Sequence, residues 1–310
     1  MHGSLIFTFA CLALALPVLG EGLTISGGLD GRASHSSETD ADAELRGLFL
    51  NLRQVWQDDE GDRWIGVAQL DVEHDFAEVQ PYQAYLQYKG PLGKWNIRGG
   101  HFLVPFGLLA TYDTERLLLG GLEDLNLGIR HDTGIEWLGR FGTWDYALAV
   151  TDGLGVTSLF DSRANPVVSG RVAYVRDDWQ LGLSVFSGRV VFAEERDFGW
   201  NDAQLRLAAL DFTRSWGPAT VRAEVTAGTE GGRGVWGGVL LGDYALTERL
   251  ELNTRAAFRH GAHDRTFVGA GLSYRLAEGL FVRIADEIEF GKHENNTLTG
   301  QLYFEFSRRF

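Results

Sequence analysis

From residue 23 onward the chain alternates apolar and polar side chains with a period of two, segment after segment. Leu250, Leu252, Thr254, Ala256 and Phe258 interleave with Glu251, Asn253, Arg255, Ala257 and Arg259. Leu280, Val282, Ile284, Ile288 and Phe290 interleave with Arg283, Glu287 and Glu289, and Leu48, Leu50 and Leu52 with Asn51 and Arg53. Alternate residues of a strand point to opposite sides, so each segment carries one apolar and one polar face. About sixteen such strands follow, at 23–30, 45–56, 64–74, 82–90, 94–103, 132–139, 143–151, 167–176, 179–187, 203–214, 218–228, 235–246, 249–260, 265–276, 279–290 and 299–310.

The connectors alternate too. Short turns stand at 90–93, 140–142, 177–178, 215–218, 247–248 and 277–278, and longer polar stretches at 31–44, 104–131, 152–166, 188–202 and 291–298. Long connectors therefore gather at one end of the sheet and short ones at the other. The 57–63 turn is long for its side, and 229–234 and 261–264 are short for theirs. Such asymmetry is that of an outer-membrane barrel, with short periplasmic turns and long outer loops. The expected fold class is thus all-β, a transmembrane antiparallel β-barrel of about 16 strands. Aromatic residues near segment ends (Trp64, Trp95, Trp137, Trp144, Trp216, Trp236, Tyr274) fit interface girdles.

Residues 5–16 form the one long apolar run, too short to span a bilayer as a helix. They read as the core of a secretory signal over 1–20, leaving 21–310 as a single barrel domain. Cys11, the only cysteine, lies inside that run, which excludes a disulfide framework and any Cys-based zinc or haem motif.

Composition narrows the rest. The 28 Lys+Arg against 42 Asp+Glu give a net charge of −14, which excludes a nucleic-acid binder. A hydrophobic fraction of 45% excludes a disordered chain, because enough apolar surface can be buried. The mean hydropathy of −0.11 excludes a helical membrane protein but not a barrel, in which only alternate residues touch lipid.

Two local features resemble known proteins. The last strand, with alternating Leu302, Phe304, Phe306 and a terminal Phe310, resembles the signal by which the outer-membrane assembly machinery recognises its barrels. Arg308 departs from that pattern on the outward face, where it can extend its head group into water. The run Arg98-Gly-Gly-His-Phe-Leu-Val-Pro-Phe-Gly107, continuing to Tyr112-Asp113-Thr114, together with Leu127-Gly-Ile-Arg-His-Asp-Thr-Gly134, resembles porins of the phosphate-selective O/P group. The likeness covers about residues 98–137. It implies a bacterial outer-membrane porin whose long loop, here 104–131, folds into the pore and narrows it. Phosphate selectivity is not implied, because lysine occurs only at 89, 94 and 292.

With apolar residues facing lipid, the lumen receives Arg53, Arg98, Arg171, Arg222, Arg255, Arg259 and Arg283. It also receives Asp71, Glu73, Glu136, Glu224, Glu251, Glu287, Glu289 and Glu305. Charge there is wet, whereas charge on the lipid face would be costly. At the constriction, Arg98 of the preceding strand with Arg116 and Arg130 of the loop is expected to oppose Asp113, Glu115 and Glu123. Asp124 completes the loop's charged set. The expected function is passive diffusion of small hydrophilic solutes or ions through the outer membrane, without catalysis, cofactor or metal. Partners would be the lipid bilayer, the solutes and, as in many porins of this size, two further copies in a homotrimer. The alternatives are a barrel sheath or scaffold around a partner such as an electron-transfer cytochrome, and a lipid-acting barrel enzyme. His260, His263 and His293 lie in or beside outer loops without a metal-ligand spacing.

Overall fold

The computed structural model describes residues 22–37, 41–59, 61–73, 78–112, 118–120, 125, 127–155, 165–191, 203–261, 264–291 and 295–310. The expected signal at 1–20 lies outside the described residues. Sixteen strands follow in chain order. They are β1 (Leu23–Ser36), β2 (Asp42–Asp58), β3 (Gly61–Glu73), β4 (Glu78–Lys89), β5 (Asn96–Leu103), β6 (His131–Phe141), β7 (Trp144–Thr151) and β8 (Val167–Val175). Then come β9 (Trp179–Val190), β10 (Ala203–Trp216), β11 (Ala219–Glu230), β12 (Arg233–Ala245), β13 (Leu250–His260), β14 (Arg265–Ala277), β15 (Leu280–Gly291) and β16 (Asn295–Arg309). Each pairs antiparallel with its sequence neighbours, and β1 pairs with β16, so the sheet closes on itself. The seam is stitched to its last residue: Gly22 N–H donates to the Phe310 carbonyl at 3.1 Å, and Phe310 N–H to Leu23 at 2.8 Å. Closure removes sheet edges, which is how strands satisfy their backbone polar groups in lipid.

Strand count and order match the sequence reading; some boundaries do not. The expected loop at 31–44 is largely strand, since β1 runs to Ser36 and β2 starts at Asp42. Likewise β16 begins at Asn295 rather than 299, and β9 continues to Val190. The turn that looked too long at 57–63 is a tight hairpin, with Asp58 paired to Gly61. Its polar residues are strand ends at the water-facing rim, where side chains on both faces are wet and the alternation fades.

The outward face is apolar, with Ile135 64% exposed and Leu183 54% exposed. Trp137, Trp144, Trp216, Tyr244 and Tyr274 are exposed on the same side. Arg308 lies over the Phe310 ring at 5.3 Å. Asp286 is an exception in the middle of a strand: it shares the outward side of β15 with Ile284 and Ile288, and pairs across to Ala270 and Leu298.

The inner face departs from the expected pattern. On β10 the inward residues are Ala203, Leu205, Leu207, Ala209 and Asp211, all buried, while Gln204 and Arg206 point outward. On β12, Val235, Val239 and Leu241 point inward. The rule that every apolar stripe faces lipid therefore fails on this part of the wall. The reason lies in the long β5–β6 connector, which covers those residues from inside.

Candidate functional site

The β5–β6 connector leaves β5 at Leu103 and returns at His131. Its described part brings Val104, Phe106, Leu108, Leu125, Leu127 and Ile129 into one buried cluster with the inward residues of β8–β14. Phe106 meets Phe186 of β9 edge-on, with ring centres 5.7 Å apart. Each fully buried Leu or Phe contributes roughly 1.5–3 kcal/mol, so this face of the loop is held firmly.

Polar contacts set its register. Pro105-Phe106-Gly107 turns the chain so that successive backbone donors face the wall. Gly107 N–H reaches Ser184 Oγ at 3.1 Å, and Leu108 N–H reaches Glu224 Oε2 at 2.7 Å. The other Glu224 oxygen accepts the Thr226 hydroxyl at 2.7 Å. Gly107 has φ +60°, and a Cβ there would lie 2.4 Å from the Glu224 carboxylate. Only glycine fits, both for its dihedrals and for the approach. Further along, Arg259 donates to the Leu125 carbonyl while pairing with Glu230. Gly237 of β12 leaves the space that the Leu127 side chain fills, where a Cβ would approach to 2.4 Å.

At the edge of the loop, Tyr112 lies beneath the Arg222 guanidinium, 3.8 Å from ring centre to Cζ. Arg222 also pairs with Asp243. Asn253 links Asp243 at 2.9 Å to Glu251 at 2.7 Å, and Ser273 donates to Asn253 at 2.8 Å. Burial first, then the Asp243 carboxylate, pushes the Tyr112 phenol up to about 12, so it stays neutral. Tyr112, Leu118, Leu119, Asp243, Asn253 and Ser273 border a small pocket between loop and wall.

The wall away from the loop, β15–β16 and β1–β6, is charged. Asp30 pairs with Arg32 at 2.8 Å and accepts from Gln301 at 2.8 Å. Gln301 in turn accepts from Arg283 at 2.9 Å, and Arg283 lies over the Phe281 and Tyr303 rings. Arg98 pairs with Glu136 across β5–β6 and lies over Tyr85 and Phe102, each 4.9 Å away. Arg265 meets Glu289 at 2.6 Å, and Arg255 meets Glu287 at 2.8 Å. Under the loop's side, Arg171 and Asp211 form a buried pair at 2.6 Å that spans β9 over Gly182.

The predicted lumen charges that are described thus share the inward face, and most are braced in pairs. Of the expected constriction set, Arg98 binds Glu136, and Arg130 stands at the loop's return, its carbonyl accepting Val104 N–H at 2.9 Å. Asp113, Glu115, Arg116, Glu123 and Asp124 lie outside the described residues, as does the Glu73 side chain. Sequence reasoning missed Ser184, Tyr112 and the anchoring role of Glu224. No local signal marks them, since their partners lie 77 and 116 residues away for Ser184 and Glu224. Among the described residues no cluster of three or more His, Cys, Asp or Glu could hold a metal.

No protein-family model matches the chain, and no curated protein matches it either. Solved structures do. OmpT of Vibrio cholerae in its trimer form aligns at a TM-score of 0.73 and 11% identity, over 92% of this chain and 99% of that one. The anion-selective porin from Comamonas acidovorans gives 0.71 and 13%, with the same coverage. The outer membrane channel DcaP of Acinetobacter baumannii gives 0.66 and 10%, over 92% and 97%. The chain therefore has the fold of these proteins.

Proposed function

We propose that the protein is an outer-membrane porin, a passive diffusion channel for small hydrophilic solutes or ions. The observation that carries this reading is the one-sided seating of the β5–β6 loop. It lies against β8–β14 inside a closed barrel, and the facing wall keeps its charges. A loop fixed to one side narrows a passage without filling it. Paired charges of both signs make a transverse field, which orients dipolar solutes more than it selects an ion sign.

Arg98 and Arg283 line the path from the uncovered wall, and Arg222 from the edge of the loop. Arg255 lies between these sectors, and Arg259 acts from behind the loop by holding Leu125. Asp113, Glu115, Arg116, Glu123 and Arg130 are proposed to carry the loop's own contribution. The likeness to phosphate-selective porins supports the loop architecture; with lysine only at 89, 94 and 292, phosphate preference is not proposed. No catalytic step or cofactor forms part of the reading.

The outer membrane is the proposed location, with 1–20 as the export signal and the strand ending in Phe310 as the mark read by the assembly machinery. A homotrimer is the proposed assembly. An outward carboxylate at Asp286, beside the small residues Ala270, Gly300, Gly31 and Ala33, supports a protein-covered face there, since charge against lipid is costly. Planar-bilayer reconstitution tests the function. Stepwise conductance is expected from the refolded protein, and silence at all voltages refutes the channel.

A further inference from the structure

The two segments that flank the loop each carry a histidine, His101 before it and His131 after it. On β5 and β6 both stand on the same side as Ile97, Ile135 and Trp137, which face outward, yet each is only 1% exposed. Their rings lie 5.8 Å apart, centre to centre, and within 22° of parallel. His101 Nδ1 meets the Thr133 hydroxyl at 3.0 Å, and the Tyr82 ring packs on His131 at 4.1 Å. Three ring nitrogens, His101 Nε2 and both of His131, are buried without a hydrogen-bond partner. Buried polar atoms are almost always satisfied, so three in one place point to a missing occupant.

We infer that His101 and His131 form a binding site for a divalent transition-metal ion, of the Zn2+ or Cu2+ type, that clamps the two roots of the β5–β6 loop. Imidazole nitrogen suits these ions, whereas Mg2+ and Ca2+ require oxygen ligands. The spacing fits as well. With a metal–nitrogen bond of about 2.0–2.1 Å the ion sits roughly 3.2 Å from each ring centre, so a tetrahedral angle separates the centres by about 5.2 Å and a linear one by about 6.4 Å. The observed 5.8 Å falls between them. Thr133 Oγ1 and water are the available further ligands.

The surrounding charges are of both signs. Asp132, fully buried beside His131, attracts positive charge at His101, while Arg130 on the other flank opposes it at His131. Asp132 itself is fixed by N–H donors from Thr133, Gly153 and Gly155, the last two from the β7–β8 loop. His101 pairs with Thr133 and Leu103 with His131 in the strand register. An ion shared by the two rings therefore ties the strand entering the loop to the strand leaving it.

The test uses the full-length refolded protein and metal alone, so its outcome does not depend on whether the barrel conducts. Titration with Cu2+ is expected to give one bound ion per chain with nitrogen hyperfine structure in the EPR spectrum, and Zn2+ is expected to raise the unfolding temperature. His131→Phe, which keeps a ring against Tyr82, is expected to weaken binding at least about tenfold, by analogy with the loss of far less direct partners. A nitrogen-ligated signal unchanged in His131→Phe, or no such signal in the folded wild type, overturns the site in favour of a trapped water. If that variant does not fold, Co2+-soaked crystals of the wild type decide by anomalous scattering. A peak between the rings is expected, and its absence at saturating Co2+ refutes the inference.

Discussion

The two halves of the inner wall solve the same problem in opposite ways. On β8–β14 the inward side chains include a patch of Val167, Phe186, Leu205, Leu207, Val239 and Leu241, set among a few ion pairs, and a loop keeps that patch dry. On β15–β16 and β1–β6 the inward side chains are Asp30, Arg32, Arg98, Glu136, Arg283 and Glu289, which need no cover because water or a partner charge satisfies them. A barrel interior is thus not uniformly polar. Where the chain must hold an object against the wall, it uses apolar burial; where it must leave a passage, it uses ion pairs. The first half fixes geometry and the second sets the field that a solute meets.

Disrupting the dry half should have the largest effects. Phe106→Ala removes the ring that meets Phe186 and is expected to cost about 3–5 kcal/mol of loop anchoring. Single-channel recording should show higher conductance and a noisier open level, and an unchanged trace would mean the loop is held elsewhere. Gly107→Val forces a side chain into the Glu224 carboxylate and should act in the same direction.

Next comes the buried pair beneath the loop. Arg171→Met leaves Asp211 charged and unpaired at 0% exposure, which is expected to destabilise the barrel by about 3–5 kcal/mol. Urea-dependent unfolding in detergent measures this. The double change Arg171→Met with Asp211→Leu should recover most of the loss, which separates a desolvation penalty from a packing defect.

On the charged half, Glu136→Gln keeps an acceptor for Arg98 but removes the charge of a carboxylate only 2% exposed, so it should destabilise by up to about 3 kcal/mol and shift reversal potential toward anions, because Arg98 loses its counter-charge. A reversal potential that does not move would place Arg98 away from the ion path. The smallest effect concerns the root of the β7–β8 loop. Burial, then a shared hydrogen bond and charge from Asp132, pushes the Asp152 carboxyl up to about 7. The folded state therefore holds its proton where the unfolded chain has lost it, from the ordinary carboxylate range up to about 7. The stabilisation is present at low pH and fades as pH rises through 7. Asp152 is half-buried, so solvent screening leaves at most about 1 kcal/mol. The melting temperature should fall slightly from pH 5.5 to 8.5, and Asp152→Asn should flatten that slope.

The wall itself was legible from the chain because a period of two is a direct image of a two-sided strand. Leu48–Leu50–Leu52 and Leu280–Val282–Ile284 needed no tertiary information. Side assignment succeeded where the ionic stripe faces the lumen, as at Arg255 and Glu287. It failed at Leu205 and Leu207, since alternation shows that two faces differ but not which one meets lipid. Arg206 and Gln204 stand outward near the outer rim, where the surroundings are polar, so the usual contrast inverts. The loop's anchors were illegible for a different reason. Gly107 and Ser184 are 77 residues apart and Leu108 and Glu224 are 116 apart, and no local pattern encodes such a meeting. The histidine pair has no local signature either. His101 and His131 are 30 positions apart and come together only through strand register.

The seam between β1 and β16 has a consequence in time rather than in space. Its hydrogen bonds join Gly22 and Leu23 to Phe310, the first described residue and its neighbour to the last. The ring cannot shut until β16 has been made and brought to β1. Every intermediate before that moment presents two raw strand borders, ready to pair with whatever strand is nearby. Maturation must therefore end in one late event, and a polypeptide without β16 would remain an open ribbon however well its other joints had formed.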